Sequence, residues 1–265
     1  MKDNSTINQN ILTENLKTKW LAKKLVYLPD VDSTNQEVKR IASDYPHGTA
    51  VVAEYQTAGK GRLGRIWSSP KGTGLWFSIL LKPEIAPEQL AGITLACGLG
   101  VCKAIRQYTG LNALIKWPND IIVGNKKICG ILTEMKAEAD KIIYAVAGIG
   151  INVNTAEFDE DINHKATSLS IEANTAVDRA ELFKEIMLCL EKSFDDYFSE
   201  PDSAISDEYI KLCATLGRNV AVARGNTTFN GRAVGVEATG DLLVEISDGT
   251  VIKVSSGEVT VQGIY

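Results

Sequence analysis

Residues 55–83 contain no aspartate or glutamate, yet they carry Lys60, Arg62, Arg65, Lys71 and Lys82. Their centre reads Gly59-Lys60-Gly61-Arg62-Leu63-Gly64-Arg65. In a chain whose formal net charge is −5, this sets one cationic segment apart. Glycines let a backbone approach an oxyanion closely and aim its N–H groups at it. The cations neutralise charge that backbone dipoles alone cannot. Such a loop suits the binding of a phosphate ester or a carboxylate. It is not the G-x-x-x-x-G-K-[ST] loop of P-loop NTPases. Two plainer readings stay open: a flexible solvated loop or, with Trp67 and Trp76 nearby, a grip on nucleic acid. No second basic or aromatic cluster supports the latter.

Lys116-Trp117-Pro118-Asn119-Asp120 interrupts a strand pattern with a proline, which a central strand rarely accepts. A lysine emerging beside a buried tryptophan often faces a ligand, though it can also snorkel at an edge. Gly148-Ile149-Gly150-Ile151-Asn152 places glycines inside a strand, where a ligand or another backbone can come close; a β-bulge explains them equally well. Asp32-Ser33-Thr34-Asn35 holds four N-cap residue types ahead of a helical stretch, and a cap alone would account for it.

Other chemistries have little material. His47 and His164 are the only histidines, so neither a His-rich metal site nor a Ser-His-Asp triad is expected. Cys97, Cys102, Cys129, Cys189 and Cys213 are odd in number, scattered and without C-x-x-C, which fits free, mostly buried thiols in a reducing compartment better than disulfides or zinc. The acidic total argues against a general nucleic-acid binder. No run of about 18 apolar residues predicts a transmembrane helix, and the polar start MKDNSTINQN lacks the apolar core of a signal peptide. The expectation is a cytoplasmic protein with no membrane partner.

The elements that must position these residues follow from periodicity. Residues 1–24 read as a frayed arm or one short helix. Strands are expected at 26–28, 49–56 and 75–82, with the glycine-rich loop at 57–74 between the last two. A long helix is expected at 87–108 and a second, amphipathic one at 178–198, with a third at 201–212. Residues 114–123 and 127–135 flank Gly124-Asn125, a hairpin signal, and 142–153 is another apolar strand. From residue 216 the texture changes to short strands at 219–224, 227–236, 241–246 and 250–254, punctuated by Gly225-Asn226, Gly240-Asp241 and Asp248-Gly249, as in a small β-barrel.

Taken together these stretches resemble the biotin–protein ligase family. The likeness is carried by Ser33-Thr34-Asn35, by Ala53-Glu54-Tyr55-Gln56 leading into residues 59–65 and Trp67, by residues 116–120, by Lys127-Ile128-Cys129-Gly130-Ile131-Leu132 and by residues 148–152. Ser255-Ser256-Gly257-Glu258-Val259 is similar to the family's C-terminal end. Any one motif is weak; five in this order are specific. Lys60, where the loop commonly has arginine, and Leu63 depart from the pattern. A lysine keeps the charge but loses the planar fork.

The resemblance implies an α+β fold: a mixed α/β sheet catalytic domain at 25–215 and an SH3-like C-terminal β-barrel at 216–265, behind a short arm at 1–24. It implies the enzyme-only class without a winged helix. It further implies an enzyme that uses ATP and Mg²⁺ to convert biotin to biotinyl-5′-AMP and then modifies a lysine of a biotin carboxyl carrier protein or domain. Lys116 would serve the carboxylate and α-phosphate, with Arg62 and Arg65 as further catalytic cations. Ser33, Thr34, Asn35, Gln56, Gly59, Lys60, Gly61, Arg62, Lys116, Gly130, Ile131 and Leu132 would hold biotin. Lys60, Arg62, Arg65, Trp67, Asn119, Lys127 and Asn152 would hold the nucleotide. No side chain is assigned to a metal. The loop, with Leu63, Ile66 and Trp67 as its few apolar anchors, is expected to order over the ligand. No DNA partner is expected, and apolar strands near a sheet edge offer a surface for a homodimer. The rivals are a lipoate or octanoate ligase on the same fold and a non-enzymatic regulatory or nucleic-acid binding module; fold alone does not separate them.

Overall fold

The computed structural model describes residues 7–201, 207–224, 227–237, 239–255 and 257–265. The larger sheet is built from β1 (Leu25–Val31), β2 (Ala50–Gln56), β3 (Gly74–Leu81), β4 (Ala113–Lys116), β5 (Asp120–Val123), β6 (Lys126–Glu138) and β7 (Lys141–Asn152). Their spatial order is β1-β2-β3-β7-β6-β5-β4. The β1–β2 pair is parallel and the other neighbours are antiparallel.

Alternation of side chains along each strand decides which residues meet the core and which meet the site. Leu75, Phe77 and Ile79 of β3, Ile131 of β6, and Ile149 and Ile151 of β7 belong to the main core, beneath α3 (Leu90–Thr109) and α5 (Arg179–Ser199). Leu80 of β3, Val146 of β7 and Val51 of β2 face the other way, under Val38 and Ala42 at α2 (Thr34–Ile41). Counting by twos from Val146 puts Gly148, Gly150 and Asn152 on this second face, and from Leu80 it puts Ser78 and Trp76 there. Helix α2 has only eight residues and covers one end of the face. Gly148, Gly150 and Asn152 on the remainder line a cavity.

Helix α3, with the turn before it, is long and apolar enough by length and composition to cross a membrane. Here it is the central core helix: Ile93, Leu95, Cys97, Val101, Cys102 and Ile105 are at most 1% exposed. All five cysteines are free thiols.

One expectation changes and another is narrowed. Residues 114–123 are not one strand: β4 and β5 form a hairpin around Trp117-Pro118-Asn119, with Lys116 directly opposite Asp120. The proline occupies the tip, where no ladder bond needs its missing N–H. Of the two readings of the N-terminal arm, the described part takes the second, one short helix. Asn8 caps α1 (Gln9–Thr13), Ile7, Leu12 and Leu21 are buried, and the Glu191 carboxylate on α5 accepts from the backbone N–H groups of Lys19, Trp20 and Leu21 at 2.7–2.9 Å. Trp20 also donates from its indole to Asp195 at 2.8 Å. Glu191→Ala would strand those donors, and a buried unsatisfied donor costs about 1–3 kcal/mol. We expect a loss of roughly 2–4 kcal/mol in urea unfolding; a change below about 1 kcal/mol would show that the arm contributes little.

After α4 (Leu169–Ala173) and α6 (Asp207–Leu212), the chain enters a second sheet: β8 (Asn219–Arg224), β9 (Thr227–Val236), β10 (Leu242–Glu245), β11 (Val251–Val254) and β12 (Glu258–Val261). It is antiparallel in the order β11-β10-β9-β8-β12, and its ladders among the described residues leave it open rather than closed into a barrel. The periodicity did not anticipate β12. The Gly225-Asn226 turn, Ser256 and residues 202–206 of the expected helix lie outside the described residues. Trp117 joins the two sheets: its N–H donates to Thr215 Oγ1 and its indole N–H to the Gly240 carbonyl, both at 3.0 Å.

Candidate active site

The loop after β2 folds back on itself. Lys60 and Ile66 form an antiparallel bridge, Gly61 N–H donates to the Arg65 carbonyl, and residues 62–64 make a single 3₁₀ turn. Leu63 (φ 55°) and Gly64 (φ 76°) are both left-handed there, a conformation that costs a leucine more than a glycine. Leu63 and Ile66 are 71% and 87% exposed, so they do not anchor the loop. Its inner contact is Trp67. The spacing Gly59-x-Gly61-x-x-Gly64 also matches a dinucleotide fingerprint, but that motif needs a strand leading into a helix N-terminus. Here the loop leads into antiparallel β3.

The finger overhangs a cavity of about 780 Å³ on the open face of the sheet. Of the site residues expected from the sequence, Ser33, Thr34, Asn35, Gln56, Lys60, Gly61, Arg62, Arg65 and Trp67 line it. So do Lys116, Asn119, Lys127, Gly130, Ile131, Leu132 and Asn152. Gly59 does not: it is buried behind the wall, where its carbonyl accepts from Trp67 N–H. Neither histidine is on the wall. Six lining residues are basic (Lys60, Arg62, Arg65, Lys116, Lys127, Lys165) against four acidic ones (Asp120, Glu157, Asp159, Glu258). A net acidic protein has gathered cations at one place, as an anionic ligand requires.

At one end the walls are polar and rigid. Ser33 occupies the N-cap of α2 but makes no side-chain capping bond, so the plain cap reading does not account for it. Thr34 N–H and Oγ1 both reach Gln56 Oε1, at 2.8 and 3.1 Å, and Gln56 Nε2 donates to Ser69 at 2.8 Å. Beneath them Ser78, fully buried in β3, contacts Thr34 Oγ1 at 2.7 Å and Asn35 Oδ1 at 2.6 Å. Asn35 Nδ2 donates to Glu134 at 2.8 Å, and Glu134 pairs with Lys39. Ser78 was not singled out in the sequence, although it is the one polar residue in the run Leu75-Trp76-Phe77-Ser78-Ile79-Leu80-Leu81.

The strand glycines have a specific task. A Cβ on Gly148 would fall inside the Asn35 side chain; one on Gly150 would lie 2.5 Å from Trp67 Nε1, and one on Gly130 2.9 Å from Trp67 Cζ3. They admit side chains of this chain rather than a bulge, and the β3–β7 register is unbroken through residues 148–152. Trp67 packs edge-on to Trp76 at 6.3 Å, with Lys127 Nζ 5.2 Å from its ring centroid. Among the described residues its buried indole N–H has no hydrogen-bond partner, leaving a donor for a ligand.

At the other end the cations converge. Arg62 donates to Asn119 Oδ1 at 2.8 Å and to the Gly257 carbonyl at 3.1 Å, while Arg65 pairs with Glu258. Asn119 Nδ2 in turn donates to the Ile131 carbonyl at 2.9 Å. Asn152 is fixed by donation to the Thr167 carbonyl at 3.1 Å. Lys127 pairs with Asp120 at 2.6 Å. Lys116 is only 8% exposed, and no carboxylate among the described residues pairs with it. Burial, with Lys127, Arg65 and Arg62 adding to it and Asp120 opposing, holds its ammonium down at about 8. A desolvated cation lacking an anion is poised to receive one.

Known proteins match this arrangement. The sequence profile of the biotin/lipoate A/B protein ligase family matches residues 27–152, and that of the biotin protein ligase C-terminal domain matches residues 215–261. The chain is 36% identical to the bifunctional ligase/repressor BirA of Bacillus subtilis, over 98% of this chain and 80% of that one. It is 29% identical to a biotin–[acetyl-CoA-carboxylase] ligase of Mycobacterium tuberculosis, over 89% and 88%. The solved biotin protein ligase of Aquifex aeolicus in complex with biotin and ATP superposes with a TM-score of 0.79 at 32% identity, covering 91% of this chain and 99% of that one.

Proposed function

The chain belongs to the biotin/lipoate A/B protein ligase family, and from that premise we propose that it uses ATP to convert biotin to biotinyl-5′-AMP and passes the biotinyl group to a lysine of a biotin carboxyl carrier protein. The observation that carries this reading is the convergence of the basic finger and Lys116 on one cavity.

In the first step a biotin carboxylate oxygen attacks the α-phosphorus of ATP; the bond to the bridging oxygen breaks and pyrophosphate leaves. Two anions must meet, so the reaction needs fixed positive charge that costs no reorganisation. Lys116 serves the carboxylate and α-phosphate, and Arg62, Arg65 and Lys60 stabilise phosphate charge. Among the described residues no group of three or more His, Cys, Asp or Glu side chains gathers as a metal site. Mg²⁺ enters this reading with the nucleotide, as MgATP. In the second step the acceptor amine attacks the acyl carbon, the C–O bond to phosphate breaks and AMP leaves. No covalent enzyme intermediate is required, so positioning and electrostatics dominate. Ser33, Thr34, Asn35 and Gln56, with the backbone of Gly130, Ile131 and Leu132, hold biotin; Trp67, Asn119, Lys127 and Asn152 surround the nucleotide.

Catalysis in this reading belongs to residues 25–215, with residues 216–265 as the SH3-like unit and a cytoplasmic location. A homodimer would use the outer edge of β1, and DNA binding plays no part. The family also contains lipoate ligases; the match of residues 215–261 to a biotin ligase domain favours biotin. The test is incubation with MgATP, labelled biotin and a biotin carrier domain, with lipoate, octanoate and duplex DNA as parallel arms. Label on the carrier lysine supports the reading. Label from lipoate alone, or DNA binding with no biotin-dependent ATP–pyrophosphate exchange, overturns it.

The useful form of Lys116 is the cation, present well below pH 8 and lost as pH rises through about 8. We expect kcat/KM for exchange to fall above about pH 8, and Lys116→Arg to move that limb upward, because a guanidinium stays charged. A profile flat to about pH 10 would place the essential charge elsewhere.

A further inference from the structure

Lys116 and Asp120 are directly opposed residues of an antiparallel hairpin. Opposite charges in that relation normally pair across the strands. Here they do not: Asp120 pairs with Lys127 at 2.6 Å, and no ion pair among the described residues joins it to Lys116. Tyr265 touches both groups. The Lys116 ammonium lies 3.8 Å from the Tyr265 ring centroid, and the Tyr265 hydroxyl donates to Asp120 Oδ2 at 2.5 Å. One side chain thus takes the cation on its face and the carboxylate on its edge. Its backbone is fixed: Tyr265 N–H donates to the Asn125 carbonyl at 3.2 Å, Val261 and Ile264 form a bridge, and Ile264 is buried.

A ring quadrupole attracts an ammonium far less than a carboxylate does in a dry site. A phosphate or carboxylate arriving in the cavity can therefore displace the ring as the partner of Lys116, whereas it would have to compete with Asp120 on equal terms. We propose that Tyr265 is a positioning residue for adenylate formation, standing between Lys116 and Asp120 so that the ammonium stays free for the incoming anions. The proposal rests on the biotin-ligase reading above and adds to it a residue of the smaller domain that acts through Lys116.

The test measures biotin-dependent ATP–pyrophosphate exchange per active site, counted from the burst of bound adenylate, together with thermal melting. Tyr265→Leu removes the barrier, and kcat should fall about tenfold while KM for biotin and ATP changes no more than about threefold. Tyr265→Phe keeps the ring and should stay within about threefold of the unmodified enzyme. The decisive measurement is the double variant: Asp120→Asn added to Tyr265→Leu removes the competing carboxylate and should restore kcat several-fold, whereas Asp120→Asn alone should not raise it. Normal kcat in Tyr265→Leu overturns the proposal, as does failure of Asp120→Asn to restore it. If Tyr265→Leu does not fold, a loss in Tyr265→Phe of about tenfold or more overturns it as well. Absence of biotin-dependent exchange in the unmodified protein overturns the functional reading instead, so the two failures are distinguishable.

Discussion

Replacing Lys116 with alanine is expected to remove biotin-dependent ATP–pyrophosphate exchange, by about 10³-fold or more in kcat, with the fold intact. The size follows from where the charge sits. A single preorganised donor aimed at a developing oxyanion contributes about 10²–10³ in a water-excluded site. Lys116 is a cation, 8% exposed, and no carboxylate among the described residues pairs with it. The intact fold follows from the same facts. Burial opposes this ammonium in the folded protein and holds its pKa down, and among the described residues it makes no ion pair but lies against a tyrosine ring. Removing it relieves a desolvation cost, so the melting temperature should not fall. An exchange rate near normal in Lys116→Ala would take the residue out of the chemistry. A large drop in melting temperature would make it a structural cation.

Arg62→Gly should have the second largest effect, on retention of the intermediate. Arg62 ties the finger to Asn119 and to the Gly257 carbonyl, so it closes the cavity from above while presenting charge to it. Losing a charged hydrogen-bonding group costs about 1.5–3 kcal/mol, which converts to roughly 10–100-fold in the release rate of biotinyl-5′-AMP. The adenylate would then escape and acylate lysines of unrelated proteins. The measurement is the release rate by stopped flow, with a bystander protein assayed for label. An off-rate equal to that of the unmodified enzyme would contradict the role. Arg62→Lys, which keeps charge but not the fork, should fall between the two.

Much of this was legible in the chain. The apolar period gave α3 and α5 nearly to the residue, because a helix buried on one side must repeat its apolar positions every three to four residues. The strands of the larger sheet were visible for the corresponding reason. The cationic, carboxylate-free segment around residues 59–65 marked one wall of the candidate site, since charge of one sign is collected only where something opposes its repulsion. Turns were less legible. Residues 114–123 read as one strand because a tight hairpin with apolar residues on both arms has the same local pattern as a long strand. Leu63 and Ile66 read as anchors because apolar type says nothing about which way a short finger points.

The sequence by itself marked the change of texture between the two sheets, most of the strands and helices, and the cationic segment that overhangs the cavity, because those depend on patterns within tens of residues. It could not place Tyr265 beside Lys116, set Ser78 under Thr34 and Asn35, or show that Gly148 and Gly150 make room for Asn35 and Trp67. Those facts depend on strand register and on the docking of the smaller sheet against the tip of the β4–β5 hairpin. Only the tertiary structure brings residues 116 and 265 within reach of each other, and with that contact sets what lies against the Lys116 ammonium.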